Sequence, residues 1–405
     1  MNQRLLLIAF SIFSFLLAGC SDNDTISNES DKAIKTTSNK VLKIKAPDFT
    51  NNDGAMTLEM LESASKMYRL TSDKEGNILF AAVSAGNYKI KISAGNNTAE
   101  YVIAVSAPGG NISAYTAYVY DFMPAPGQNV NNLPKYEEGD THKDMLAKVE
   151  KAIVTNSSHV TLGGWGGYVE FGFDHTIVNV PGKRDFRING NAMAGGAEPG
   201  IIMVAYDKNQ NGKPDEDEWY EIAGSGNFTA ENESWYEAAL AAGGDVNTYR
   251  DYEMTYYRPE VEDNNTSKTY MRWTDNKGND AYKEKNEYNR QPYYPQWIKD
   301  DKITFKGIRL ADNGRDISGV GTNFYLEAYS YGYADNHPNN DKRSAIDIDW
   351  AIDKDGNPAN LPGIDFVKVI NGVNKENGWI GEASPEVGKG EDLHLIGTDI
   401  DTELK

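Results

Sequence analysis

The chain has 405 residues, enough for two or three domains and a sizeable core. Its 60 acidic against 40 basic residues leave a net charge of −20 with no Lys/Arg-dense stretch, which excludes nucleic acid as a natural partner. A hydrophobic share of 39% beside 38 glycines, 24 tyrosines and 7 tryptophans suits an extracellular β-sandwich that binds ligands better than a metabolic enzyme.

Met1-Asn2-Gln3-Arg4 carries one positive charge, and Leu5 to Leu17 is an unbroken apolar or small-residue run. A hydrocarbon core needs ~20 helical residues, so this run reads as a signal-peptide core over 1–19. Leu17-Ala18-Gly19-Cys20 resembles the bacterial lipobox, which implies acylation of Cys20 and attachment to outer-membrane lipid. Cys20 is the only cysteine, so the mature chain has no internal disulfide, thiolate metal site or catalytic cysteine. Ser21-Asp22-Asn23-Asp24 is similar to the acidic surface-export tag of Bacteroidetes lipoproteins, and Asp24-Thr25-Ile26 to that phylum's O-glycosylation site. Residues 20–40 are polar and aperiodic, which predicts a flexible tether.

From Val41 the pattern changes to short strands separated by Gly/Asn/Asp turns. Tyr88-Lys89-Ile90-Lys91-Ile92 alternates cleanly, and Ala85-Gly86-Asn87-Tyr88 before it resembles a late strand of PKD-like, immunoglobulin-like bacterial modules. A small immunoglobulin-like domain is expected over 41–107, with Pro108-Gly109-Gly110 as its exit. The larger body, 112–400, is expected to be a jelly-roll-like β-sandwich, so the chain as a whole reads as mainly β. One helix is predicted at 142–155, where Met145, Val149 and Ile153 recur at helical spacing, and a short second one at 233–242 before Gly243-Gly244. Val169, Phe171, Phe173, His175 and Ile177 share one strand face, with His175 expected as a hydrogen-bonded core residue. Ile346, Ile348, Trp350 and Ile352 alternate with Asp347 and Asp349, which reads as a further strand with a solvent-facing acid pair. Gly163-Gly164-Trp165-Gly166-Gly167 reads as a tight turn presenting Trp165.

One stretch carries ligand chemistry. Asp207 to Glu218 fits the twelve-residue EF-hand loop, with Asp207, Asn209, Asn211, Lys213 (through its carbonyl), Asp215 and Glu218 at the ligand positions and Gly212 at the sharp turn. An all-oxygen set suits calcium in a structural role. Its flanks read as strands, so no opening of a helix pair is expected. The second feature is the aromatic density between 249 and 297. With Trp165, the residues Tyr256, Tyr257, Trp273, Tyr293, Tyr294 and Trp297 are candidate binding faces for a sugar or a large amphipathic ligand.

The segments YVYDFMPAPGQNVN (118–131), TLGGWGGYVEFGFDHTIVN (161–179), EPGIIMVAYDKNQNGKPDEDEWYEIAGS (198–225) and GIDFVKVINGVNKENGWIGEASPEV (363–387), in that order, resemble a family of Bacteroidetes cell-surface lipoproteins. The resemblance implies association with TonB-dependent receptors, including those for vitamin B12 and other corrinoids. It implies a surface-exposed lipoprotein that captures a nutrient and passes it to a transporter without breaking a bond. A glycan-binding surface module is the alternative, and an extracellular glycoside hydrolase, which would need a carboxylate pair ~5–9.5 Å apart, is the third.

Overall fold

The computed structural model describes residues 33–49, 54–262 and 266–402. The expected signal peptide at 1–19, Cys20 and most of the tether lie outside the described residues. The protein is mainly β, a small two-sheet domain followed by a larger body of several sheets with two short α-helices.

In the small domain one sheet runs Ile34–Thr37, Asn97–Ser106, Gly86–Ala94, Thr57–Glu62, and the other Leu42–Ile44, Ile78–Ala82, Tyr68–Ser72. The alternation of Gly86–Ala94 puts Tyr88, Ile90 and Ile92 inward against Phe80 and Ile103. Tyr88 keeps its polar end satisfied by donating from Oη to Ser84 O at 2.9 Å, as in a tyrosine corner. The tether expected to run to residue 40 stops earlier. Ile34–Thr37 pairs in parallel with Ile103–Ser106, and a parallel edge strand leaves no hairpin signal in the sequence.

This domain is docked on the body. Val41, Leu79 and Ala81 pack against Val178, Val180 and Tyr206 in one buried cluster. Arg69 pairs with Asp349 at 2.8 Å and Lys74 with Asp353 at 3.1 Å, while Thr176 N donates to Asn39 O at 2.9 Å.

The main sheet of the body is antiparallel, in the order Ala351–Ile352, Trp219–Ile222, Gly200–Ala205, Gly363–Asn371, Gly164–Val178, Tyr118–Ala125. The helix His142–Glu150 belongs to the same core. Thr141 and Asp144 form a capping box at its start, and Met145, Val149 and then Ile153 bury one stripe with Phe122, Val169 and Phe171. The second helix, Tyr236–Ala241, ends where Gly243 takes φ +78°. The aromatic stretch makes its own four-stranded sheet, ordered Asp280–Lys285, Ser267–Asp275, Tyr249–Tyr257, Lys302–Arg309. Tyr252, Met254 and Tyr256, on one parity of Tyr249–Tyr257, close over Trp165 and Phe305.

Two local expectations are corrected. The 345–353 segment is not one strand: Asp347 accepts from Asp349 N at 2.7 Å and caps a 3-10 turn over Ile348–Trp350, between two-residue strands. Asp347 is buried and Asp349 is spent on Arg69, so they are no solvent-facing pair. The Gly163–Gly167 stretch lies mostly within the long strand Gly164–Val178, with Trp165 facing inward. Its glycines are needed for close approach, since a Cβ on Gly164 would come within 2.7 Å of Tyr256 Oη and one on Gly166 within 2.4 Å of Phe305.

Candidate functional site

The acidic loop is a hairpin connection, closed where Ala205 pairs with Trp219. Asp207 accepts from Asn211 N at 3.1 Å and Gly212 N at 2.8 Å; Asn209 Oδ1 accepts from Asn211 N at 3.0 Å and Asn211 Oδ1 from Lys213 N at 2.7 Å. Gln210 and Gly212 at positive φ, 58° and 74°, let the chain curl around these side chains. Asp215 takes both asparagine amides, at 2.6 and 2.7 Å, and Glu218 accepts from Lys208 N and Asp215 N. Glu218 is buried, and burial together with Asp207 and Asp215 raises its carboxyl above the usual range. Five of the six expected ligand residues are thus tied side chain to side chain or side chain to backbone around one turn. The sixth, Lys213, joins them through its backbone N, which donates to Asn211 Oδ1. Oxygen donors of this kind are those a hard cation takes, yet the carboxylates of this loop are not a group whose oxygens converge within 4.8 Å; their acceptors are taken by the loop's own amides.

A second oxygen cluster has no spacing that a sequence reading can find. Glu198 precedes the strand Gly200–Ala205, Asp335 follows the paired Tyr333–Ala334, and Glu386 lies on a two-residue strand. Their carboxylate oxygens lie within 4.8 Å of one another. Asp335 accepts from Asn191 N, Ala192 N and Glu386 N at 2.7 to 2.9 Å, Glu386 from Asn191 Nδ2, and Glu198 from Ser384 N. None of the three has a basic partner within 4.0 Å among the described residues. Burial and mutual repulsion push Glu386 up to about 8, and burial pushes Asp335 to about 6. Such a group either shares protons or holds a cation.

The seven aromatic candidates do not form a binding face. Trp165, Tyr256, Tyr293, Tyr294 and Trp297 are buried, and only Tyr257 and Trp273 are half-exposed. Trp165 and Tyr256 meet in one cluster, where Tyr256 Oη donates to Trp165 O at 3.0 Å and Trp165 Nε1 to Ile308 O at 3.1 Å. Tyr293 and Tyr294 fill another with Met271, and Trp297 is stacked near Phe122 and Tyr136. Arg272 lies over the Tyr257 ring at 4.7 Å. Trp165 and Tyr256 are core because their strands bury that face, whereas Tyr293, Tyr294 and Trp297 lie on the loop between Asp280–Lys285 and Lys302–Arg309 and fold inward; apolar area is worth more inside a sandwich than on it. The exposed rings are others, among them Tyr118, Phe228, Tyr282, Trp379 and Tyr288, the last two with centroids 6.4 Å apart.

His175 is a buried, doubly hydrogen-bonded histidine, as its strand parity predicts. Nδ1 faces Asp174 and Nε2 faces Asp392, each at 2.9 Å.

A cleft of about 730 Å³ lies between the two domains. Its floor carries Tyr118, Tyr120, Phe173 and Phe366; one wall is Thr37–Val41 and the other includes Asp207, Gln210 and Gly212 of the acidic loop. Tyr120 Oη donates to Gly212 O at 3.2 Å, so the acidic loop and the aromatic floor are joined directly. The glutamate–aspartate triad does not line it. No family model matches the chain, and no curated protein matches it in sequence.

Proposed function

We propose that the protein is an outward-facing, lipid-anchored outer-membrane protein that captures a nutrient in the cleft between its two domains and passes it to a TonB-dependent transporter. The observation that carries this reading is the cleft itself. It is large enough for a small organic ligand, floored by aromatic rings, and held open by docked rather than tethered domains. The lipobox-like Leu17-Ala18-Gly19-Cys20 supplies the anchor in this reading, and the family resemblance supplies the transporter and a corrinoid as the first ligand to try. Calcium in the 207–218 loop would stiffen one wall.

Titration calorimetry of the chain lacking residues 1–20 against cyanocobalamin, with and without calcium, tests the binding step. Saturable heat that Tyr120→Ala removes supports it; no heat with cyanocobalamin or with an arrayed glycan set overturns capture in this cleft. Labelled palmitate and external protease test the placement, which fails if neither marks the protein in cells.

A glycan-binding role is favoured by one separate observation, the exposed Trp379–Tyr288 pair. The Trp379 ring is held by its Nε1 donating to Thr322 O at 3.3 Å. Loss of a glycan-array signal in Trp379→Ala, with cobalamin binding intact, would assign the sugar to that pair.

A further inference from the structure

The charges around the cleft are segregated by domain. The small domain brings Lys40 to the main cleft and Lys35 to its lateral extension of about 460 Å³, which shares Thr37, Lys40, Val41 and Gln210 with it. The body brings Glu150, Asp174, Asp207 and Asp365, no lysine or arginine, and one histidine, His175, which is already paired with Asp174 at 2.9 Å. Opposite charges facing each other across a domain junction ordinarily close on one another, and elsewhere at this junction they do, at Arg69–Asp349 and Lys74–Asp353. Across the cleft they do not: among the described residues neither Lys35 nor Lys40 forms an ion pair, and neither does Glu150.

A further buried donor lies on the lysine side. Asn39 is only 4% exposed and lines the cleft, yet its Nδ2 has no acceptor. A buried amide N–H left without a partner is unfavourable, and a ligand oxygen that reached it would remove that penalty. The small-domain wall is therefore a donor and cation surface, and the body wall an acceptor and anion surface, with the rings of Tyr118 and Tyr120 between them.

From this we infer that the cleft takes a zwitterionic ligand of the short-peptide class, its carboxylate against Asn39 and Lys40 and its ammonium against Glu150. A singly charged ligand would satisfy one wall and be repelled by the other. A ligand with both charges, separated by a few bonds of apolar or amide backbone, satisfies both. The inference rests on the capture reading for the location of the seat and adds to it the chemistry of the occupant.

Calorimetry of the chain lacking residues 1–20 against an equimolar tripeptide pool with free termini tests it, alongside the same pool N-acetylated and the same pool C-amidated. Each cap is expected to weaken binding about fivefold, the scale of a partly exposed ion pair. Lys40→Gln should weaken the free pool but leave the amidated pool unchanged, and Glu150→Gln should do the same for the acetylated pool. Both positions are exposed, so neither change threatens folding. If the free pool does not bind, or binds no better than its capped forms, the inference is overturned. In that event cyanocobalamin or glycan binding that Tyr120→Ala removes would leave the capture reading standing; absence of that too would end both.

Discussion

Arg69 of the small domain reaches Asp349 of the body, Nη2 to Oδ1 at 2.8 Å, and the same carboxylate oxygen accepts from Asn179 Nδ2 at 3.0 Å. Asp349 is thereby held from both sides, and the cleft keeps its width because its two walls are pinned outside it. The Arg69 side chain is mostly buried in this contact, so the pair lies above the ordinary surface value. Arg69→Ala is expected to cost about 1–2 kcal/mol in urea unfolding. It should also make the 107–112 connection cleavable by a protease at concentrations that leave the parent intact. Unchanged cleavage would mean that the buried Val41/Leu79/Val178 cluster docks the domains alone.

Calcium should stabilise the fold through the 207–218 loop. A ligand at about 100 times its dissociation constant adds about 2.7 kcal/mol if it binds only the folded state. The melting temperature in millimolar calcium is expected to exceed that in EDTA by several degrees, and Asp207→Ala should abolish the difference. Equal melting in the two buffers would reduce the loop to a turn held by its own Asx hydrogen bonds. If calcium still stabilises Asp207→Ala, the Glu198/Asp335/Glu386 cluster is the place to look next, with Glu386→Gln as the variant.

How much of this was legible depends on whether the signal is local. The alternation of 169–177 and of 86–94 gave buried faces correctly, because strand period and burial are the same fact there. The turn at 207–218 was legible because its Asp and Asn residues recur at alternate positions, where their side chains reach the backbone N–H groups that follow. The 345–353 segment alternates just as well, yet Asp347 bends it into a 3-10 turn; an aspartate that can cap a turn competes with the strand. Aromatic density between 249 and 297 was misread as surface, although Tyr252, Met254 and Tyr256 already share one parity. Glu198, Asp335 and Glu386 come together only because two loop positions and a two-residue strand, far apart in sequence, meet in space, and the two walls of the cleft belong to different domains. No spacing rule reaches either.

Trp165 separates a core role from a binding role. It is buried edge-on against Tyr252 with centroids 4.7 Å apart and an interplanar angle of 88°. Trp165→Ala should cost about 3–5 kcal/mol by cavity formation and lost packing. Among molecules that remain folded, ligand affinity should be unchanged. Trp379→Ala, at a 54% exposed position, should leave stability within about 0.5 kcal/mol of the parent and ligand binding in the cleft intact, any loss being confined to glycan binding. A Trp165 variant that melts normally would contradict the sheet packing described above.

Stability should fall as pH rises, and Asp185 is the residue that shows why. Its carboxylate is fully buried, accepting from Val180 N at 2.9 Å and Ile348 N at 2.8 Å and facing His394 Nε2 at 2.9 Å. Burial pushes it up to about 7, although His394 pulls the other way. His394 is itself opposed by burial, but its hydrogen bond and attraction to Asp185 prevail and raise it above its ordinary value. Both shifts have the same sign for stability: the folded protein retains protons that the unfolded chain has released. The contribution is therefore full below about pH 4 for the aspartate and is lost as pH climbs through about 7, at up to about 1.4 kcal/mol per pH unit for each proton. Carboxylates held low, such as Asp341 at about 2 through its hydrogen bonds to Arg343, act only at the acid end. Urea unfolding at pH 5.5 and 7.5 should show the parent weaker at the higher value. Asp185→Asn, which keeps one side-chain acceptor but cannot titrate, should be less stable at pH 5.5 and show a flatter slope. Parallel slopes for parent and variant would mean that the Asp185–His394 pair exchanges no proton on unfolding in this range.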